Sequence, residues 1–168
     1  MHLLLLRHAI AAQRDPERWP DDGLRPLTPE GRRKMQRGAL GIVALGVRPD
    51  LVLTSPLARA ADTARIAAAA FKPRPEIRVL KPLAPGGGSG GVLAGLGGLP
   101  SASTVLLVGH EPDLTRLAGA LLIEPRGDLG LDFKKGGLCW IDCDGAPRPR
   151  AGRMILLVTP RVLRRLRR

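Results

Sequence analysis

Three short apolar runs interrupt an otherwise polar, glycine- and proline-rich chain, and each is followed at once by residues that carry chemistry. Leu3, Leu4, Leu5 and Leu6 lead into Arg7 and His8. Leu51, Val52, Leu53 and Thr54 lead into Ser55 and Pro56, and Thr104, Val105, Leu106, Leu107 and Val108 into Gly109, His110 and Glu111. Apolar runs of four or five residues are too short for free-standing helices and fit buried strands of a parallel sheet. In an open α/β sheet the residues just past a strand's carboxyl end face the ligand crevice. Three parallel strands ending on one edge therefore bring Arg7, His8, Arg59 and His110 together, although they are far apart in sequence.

Helical signals alternate with these runs. Thr28 and Pro29 supply a capping hydroxyl and an N1 proline, and Met35, Leu40, Ile42, Val43 and Leu45 carry the helix on to Gly46. Ser55 and Pro56 read as the cap of a second helix over 56–71, with Arg59 in its first turn and Ala60, Ala61, Ala64, Ala67 and Ala68 allowing close approach to the sheet. Pro112 opens a third over 112–122, with Leu114, Leu117, Ala118 and Leu121 at helical spacing as core positions. A short strand is expected at 77–80. Two more, at 137–143 and 154–159 around a turn at 144–147, add an antiparallel pair to an otherwise parallel sheet.

Residues 13–25, dense in Asp, Pro, Arg and Gly, read as a loop over the crevice, with Trp19 covering the edge of the core or touching substrate. Residues 85–91 read as a flexible glycine loop, with Gly86 to Gly91 at its centre; no Gly-Lys-Ser/Thr follows, so it is not a phosphate loop. Residues 160–168 form either a basic amphipathic turn or two, or a frayed tail. The alternation of strands and helices predicts one domain over 1–168: a three-layer α/β/α fold with a mostly parallel central sheet and an antiparallel addition near the C-terminus.

Composition narrows the function. Of the 168 residues 44% are hydrophobic but only 2% aromatic, so the core is built from Leu, Val, Ile and Ala, and little is available to stack on nucleic-acid bases. The formal net charge of +12 favours an acidic partner. Arg32, Arg33, Lys34 and Arg37 cluster on the first helix and read as a solvated face, with docking of an acidic protein as the alternative. The first apolar run is cut by Arg7 and no small-residue cleavage site follows, unlike a secretory signal, and no segment is long enough to span a membrane. A cytoplasmic protein is the expectation. Cys139 and Cys143 on one strand would stand roughly 13 Å apart, beyond disulfide reach, and are expected as buried free thiols. No further ligands with zinc spacing accompany them, so no metal is expected.

The segments Arg7-His8-Ala9, Ser55-Pro56-Leu57-Ala58-Arg59-Ala60-Ala61-Asp62-Thr63-Ala64 and Val108-Gly109-His110-Glu111-Pro112 resemble the three signature segments of the histidine phosphatase superfamily. The shortness of the chain and its Arg25-Pro26-Leu27-Thr28-Pro29-Glu30-Gly31 segment are similar to the small bacterial phosphohistidine phosphatases of the SixA type. The likeness runs from Met1 to about Leu122 and more loosely to the end. Ala9 departs from it, since the family usually has glycine after the histidine. The resemblance implies a phosphoglycerate mutase-like fold and a phosphatase without metal or cofactor. It makes His8 the nucleophile and places Arg25 near the phosphate.

The chemistry agrees with that implication. A neutral imidazole attacks phosphorus, and a phosphoenzyme splits one hard displacement into two easier ones. Arg7 and Arg59 grip the non-transferred oxygens, His110 adds to the cradle, and the clustered positive charge keeps His8 unprotonated. Larger members of the superfamily take a general acid from a segment where this chain has Lys81-Pro82-Leu83-Ala84-Pro85 and then glycines. Glu111 is the remaining candidate, unless it only serves the helix dipole.

The expected substrate is a phosphohistidine-containing protein, with a small phosphomonoester as the rival. A nucleic-acid-binding module on a degenerate enzyme fold is supported by the basic helix and tail, and opposed by the scarce aromatics and by the intact set of Arg7, His8, Arg59 and His110. The expected partner is thus a phosphorylated protein or a small phosphorylated compound, with nucleic acid disfavoured and no membrane involved.

Overall fold

The computed structural model describes residues 1–123 and 129–166. Among them, strands β1 (His2–Arg7), β2 (Leu51–Thr54), β3 (Glu76–Val79), β4 (Thr104–Gly109), β5 (Leu138–Cys143) and β6 (Gly152–Val158) form one sheet in the order β3-β2-β4-β1-β5-β6. The first four run parallel, while β5 pairs antiparallel with both β1 and β6. The predicted antiparallel addition is therefore present, and it extends the sheet from the side of β1.

The two-residue alternation of a strand divides the core into two layers. Leu4 and Leu6 of β1 face α1 (Pro29–Ala44), α2 (Ala58–Ala68) and α5 (Pro160–Leu166). Leu3 and Leu5 face α3 (Ser89–Leu96) and α4 (Asp113–Leu122). All four leucines are fully buried, which is why the run shows no polar alternation. The result is the three-layer α/β/α fold with a mixed, mostly parallel sheet.

Several boundaries differ from the sequence reading, each for a local reason. The α1 cap is as expected, with Thr28 Oγ1 accepting from the Gly31 amide at 2.9 Å. Helix α2 starts two residues later than its proline implies: Leu57 is extended and serves as N-cap without a side-chain bond. It also ends at Ala68, three residues before the expected 71.

The glycine-rich stretch expected as loop enters helix α3 at Ser89, through Gly90 and Gly91. Glycine disfavours helix, so packing decides here: Val92 and Leu96 are buried in the core, and a Cβ on Gly91 would come within 2.9 Å of Pro82 Cβ. The preceding Gly86 amide is tied to α4, donating to Asp113 Oδ2 at 2.9 Å.

The C-terminal segment is a helix and not a frayed tail. Leu163 is fully buried, and a Cβ on Gly41 would collide with the Leu163 carbonyl, so α1 and α5 meet backbone to backbone. Arg167 and Arg168 of the basic tail lie outside the described residues. On α1, Arg32 pairs with Asp62 and Lys34 with Glu30, while Arg33 and Arg37 are exposed to solvent. Cys139 and Cys143 are buried free thiols on β5, and burial pushes the Cys139 thiol up to about 12. Among the described residues no helix is long and apolar enough to cross a membrane.

Candidate active site

The carboxyl ends of β1, β2 and β4 are level with one another. Arg7 stands opposite Gly109 and Thr54 opposite Val108. Beyond the ladder the backbone bonds continue, from the His8 amide to the Gly109 carbonyl and from the Ser55 amide to the Val108 carbonyl, both at 3.0 Å. This sets His8 beside His110, with ring centroids 5.0 Å apart and planes inclined at 54°. The four residues expected from three separate strand ends thus meet at one sheet edge.

His8 is buried, and its Nδ1 lies 2.7 Å from the Ala9 carbonyl oxygen. A carbonyl only accepts, so Nδ1 carries the ring proton and Nε2 keeps its lone pair. Ala9 is itself fixed. Its amide donates to Thr63 Oγ1 at 3.0 Å, and the Thr63 hydroxyl donates to the Arg59 carbonyl at 2.7 Å. One threonine therefore links the residue that orients His8 to the turn of α2 that carries Arg59.

Both arginines are held by oxygen acceptors. Arg59 has a side chain only 5% exposed; its Nη1 donates to the Asp22 carbonyl at 2.8 Å, and its Nη2 lies 3.1 Å from Asp22 Oδ2. Arg7 Nη1 donates to the Phe133 carbonyl at 2.6 Å. Arg25 shares Asp22 with Arg59, giving Nε to Asp22 Oδ1 at 2.8 Å and Nη1 to the Ala12 carbonyl at 2.7 Å. His110 Nε2 is 2.9 Å from Ser55 Oγ, the hydroxyl that the sequence reading assigned to a helix cap. Arg7 Nε, Arg59 Nε and His110 Nδ1 are all buried without a hydrogen-bond partner. Orphaned polar groups of this kind are rare in folded proteins, and a multidentate oxyanion satisfies such a set.

Burial dominates the electrostatics. It lowers His8 to about 3, against the opposing pull of the Ala9 carbonyl and with help from His110, Arg59 and Arg7. It lowers His110 to about 4, with Arg59 the next cause. Both imidazoles are neutral near pH 7. The sequence argument credited the clustered cations, which act in the stated direction but less than desolvation does. The Asp22 carboxyl is held below the usual range, first by its bond from Arg25. Burial lowers the Lys135 ammonium, followed by the charges of Arg7, Arg25 and Arg59, so Lys135 lies within the field of the same cluster.

Glu111 occupies the edge of this arrangement. Its Oε2 accepts from Thr115 Oγ1 at 2.7 Å, its Oε1 is buried without a partner, and burial pushes its carboxyl up. Among the described residues, no group of three or more His, Cys, Asp or Glu side chains is placed to hold a metal ion.

Sequence reasoning missed Asp22, Thr63, Phe133 and Lys135, and the second partner of Ser55, whose hydroxyl accepts from the Leu57 amide at 3.3 Å as a cap does and also meets His110. Thr63 lay within the quoted signature, four residues after Arg59, where a helix brings the two together. Asp22 carries no local signal, because only the folded loop brings it to Arg59.

The model of the histidine phosphatase superfamily (branch 1) matches residues 3–84, which hold Arg7, His8, Arg25 and Arg59. The chain belongs to that superfamily, and the match together with the structures below supports a phosphatase acting through a histidine. Within it, the chain is similar to SixA-type structures. The protein histidine phosphatase SixA in complex with tungstate superimposes with a TM-score of 0.83 at 25% identity, over 97% of this chain and 99% of that one. A SixA structure from Agrobacterium tumefaciens gives 0.77 at 27%, over 95% and 97%. An uncharacterised protein of Picosynechococcus sp. is 38% identical, over 97% of this chain and 99% of its own.

Proposed function

We propose that this protein is a phosphohistidine phosphatase that works through a phosphorylated His8, with a phosphohistidine-bearing protein as substrate. The observation that carries the reading is the 2.7 Å bond from His8 Nδ1 to the Ala9 carbonyl, which leaves Nε2 as the one nucleophilic nitrogen of a buried, neutral imidazole. In the first step Nε2 attacks phosphorus, the bond from phosphorus to the substrate imidazole breaks, and that imidazole leaves with a proton. In the second, water attacks phosphorus on His8, the bond from phosphorus to Nε2 breaks, the water's proton passes to solvent, and inorganic phosphate leaves. Arg7 and Arg59 hold the equatorial oxygens and offset their charge through both displacements. With the Ser55 hydroxyl given to His110 Nε2, His110 Nδ1 carries the ring proton and donates to the same oxygens. Arg25 shares Asp22 with Arg59 and positions it through that carboxylate.

The substrate reading is supported by where the carboxylates stand. Asp22 is committed to two guanidiniums and is held ionised, so it is no proton donor. Glu111 accepts from Thr115 through Oε2, which leaves Oε1 as its open oxygen. An alkoxide leaving group needs a proton in the transition state, which typically contributes about 10²–10⁴ in rate. A phosphohistidine leaving group is an imidazole that water protonates, and it needs far less.

The test is a panel of a phosphohistidine protein, a phosphoramidate, an aryl phosphate and several sugar phosphates, each with and without chelator. Fast turnover of the nitrogen-bound phosphates, slow turnover of the alkyl phosphates and indifference to chelator are expected. Efficient, chelator-insensitive hydrolysis of sugar phosphates would instead assign a small-molecule phosphatase.

A further inference from the structure

A cleft of about 160 Å³ opens beside the catalytic strand end, between α1, the chain just after His8 and the start of α5. Its lining includes the apolar Ala9, Met35 and Pro160 and the cations Lys34, Lys135 and Arg164. Lys34 is paired with Glu30 at 2.6 Å. Among the described residues, no carboxylate forms an ion pair with Lys135 or Arg164.

The cleft is coupled to the phosphoryl site by backbone. The Gly136 amide donates to the Arg7 carbonyl at 3.0 Å and the Arg7 amide to the Gly137 carbonyl at 3.2 Å, so the wall that carries Lys135 is stitched to β1. Ala9, on the other wall, is the residue that orients His8. Gly136 has φ +78°, a left-handed turn that glycine allows and that lets this wall fold back on β1.

We propose that this cleft is a second anion subsite, which receives an Asp or Glu side chain of the phosphorylated protein while its phosphoryl group lies at His8. The proposal rests on the phosphoprotein reading above. Lys135 and Arg164, neither of them ion-paired among the described residues although Glu30 lies in the field of Arg164, suit a carboxylate on a short aliphatic stem: the stem covers Met35 and Pro160, and the oxygens meet the two cations. Like charge already crowds Lys135, from Arg7, Arg25 and Arg59, and an incoming carboxylate relieves that repulsion. A phosphoramidate has no group to reach the cleft, so the subsite acts on the protein substrate alone.

The test compares Arg164→Glu with the parent on two substrates, a phosphohistidine protein and a small phosphoramidate. Arg164 is half-buried on α5, and an unchanged thermal midpoint shows that the variant folds. The expected result is a KM for the phosphoprotein raised about tenfold, with phosphoramidate kinetics within about twofold of the parent. Lys135→Ala should raise the same KM. Changing the substrate's own carboxylates beside its phosphohistidine to amides should raise KM for the parent but add little to Arg164→Glu, because the two changes remove one interaction. A parent active on both substrates, with variants unchanged on the phosphoprotein, overturns the subsite alone. A parent that hydrolyses the phosphoramidate but not the phosphoprotein overturns the substrate reading, and the subsite with it.

Discussion

Arg59 and Asp22 are joined twice, through the Asp22 carbonyl at 2.8 Å and its carboxylate at 3.1 Å, across 37 residues of sequence. The long loop after β1 thereby fixes the guanidinium that is proposed to hold the phosphoryl group. Asp22→Ala removes the carboxylate from both Arg59 and Arg25, and should lower kcat/KM by about 10²-fold through misplacement alone. Asp22→Asn keeps an acceptor oxygen and should recover part of the loss. Steady-state kinetics of the two variants checks this, and equal activity in Asp22→Ala and the parent would remove the loop from the account.

The imidazoles give a pH prediction with a definite sign. Burial lowers His8 to about 3 and His110 to about 4, against an ordinary value near 6.5. A base whose folded value is depressed contributes stability that is complete above its unfolded value and is lost as pH falls through the window down to the folded one. Stability should therefore decline from about pH 6.5 downward, while the folded His8 ring stays neutral. Nitrogen-detected NMR of the imidazoles should show His8 protonated at Nδ1 and unchanged between pH 8 and pH 5. A His8 midpoint near pH 6.5 would contradict the burial argument.

Glu111 stands at the edge of the site with one oxygen on Thr115 and the other buried and unpartnered. Glu111→Gln should leave phosphohistidine turnover within about threefold, since general acid catalysis is worth about 10²–10⁴ only where the leaving group requires it. A loss of that size confined to alkyl phosphates would identify Glu111 as the proton donor for that class.

Much of this arrangement was legible before the structure. Unbroken leucine and valine runs announce doubly buried strands, and the residues at their ends announce the site. Ser55 was legible only in part: its hydroxyl accepts from the Leu57 amide, as the Ser-Pro cap signal implies, but the neighbouring strand also brings it to His110. Helix α3 was hidden because its register depends on Pro82 and on buried Val92 and Leu96, against the propensity of its own glycines. Asp22 and Lys135 were hidden because their importance comes from charges that only the fold brings near.

The contact between α1 and α5 gives a stability prediction. Gly41→Ala forces a methyl group against the Leu163 carbonyl and should cost about 1–3 kcal/mol, as overpacking does in a close contact. Chemical denaturation measures it. An unchanged midpoint would mean that α5 does not dock on Gly41.

The nucleophile is the central claim, and trapping the intermediate tests it most directly. Phosphorus-labelled substrate is mixed with enzyme, quenched in base during turnover, and the labelled protein is digested and sequenced. The label should be base-stable and acid-labile, and it should sit on Nε2 of His8. It should be absent from His8→Ala, whose turnover should fall by about 10³ or more. A label on a serine or an aspartate, or parent-level turnover by His8→Ala, would contradict the account.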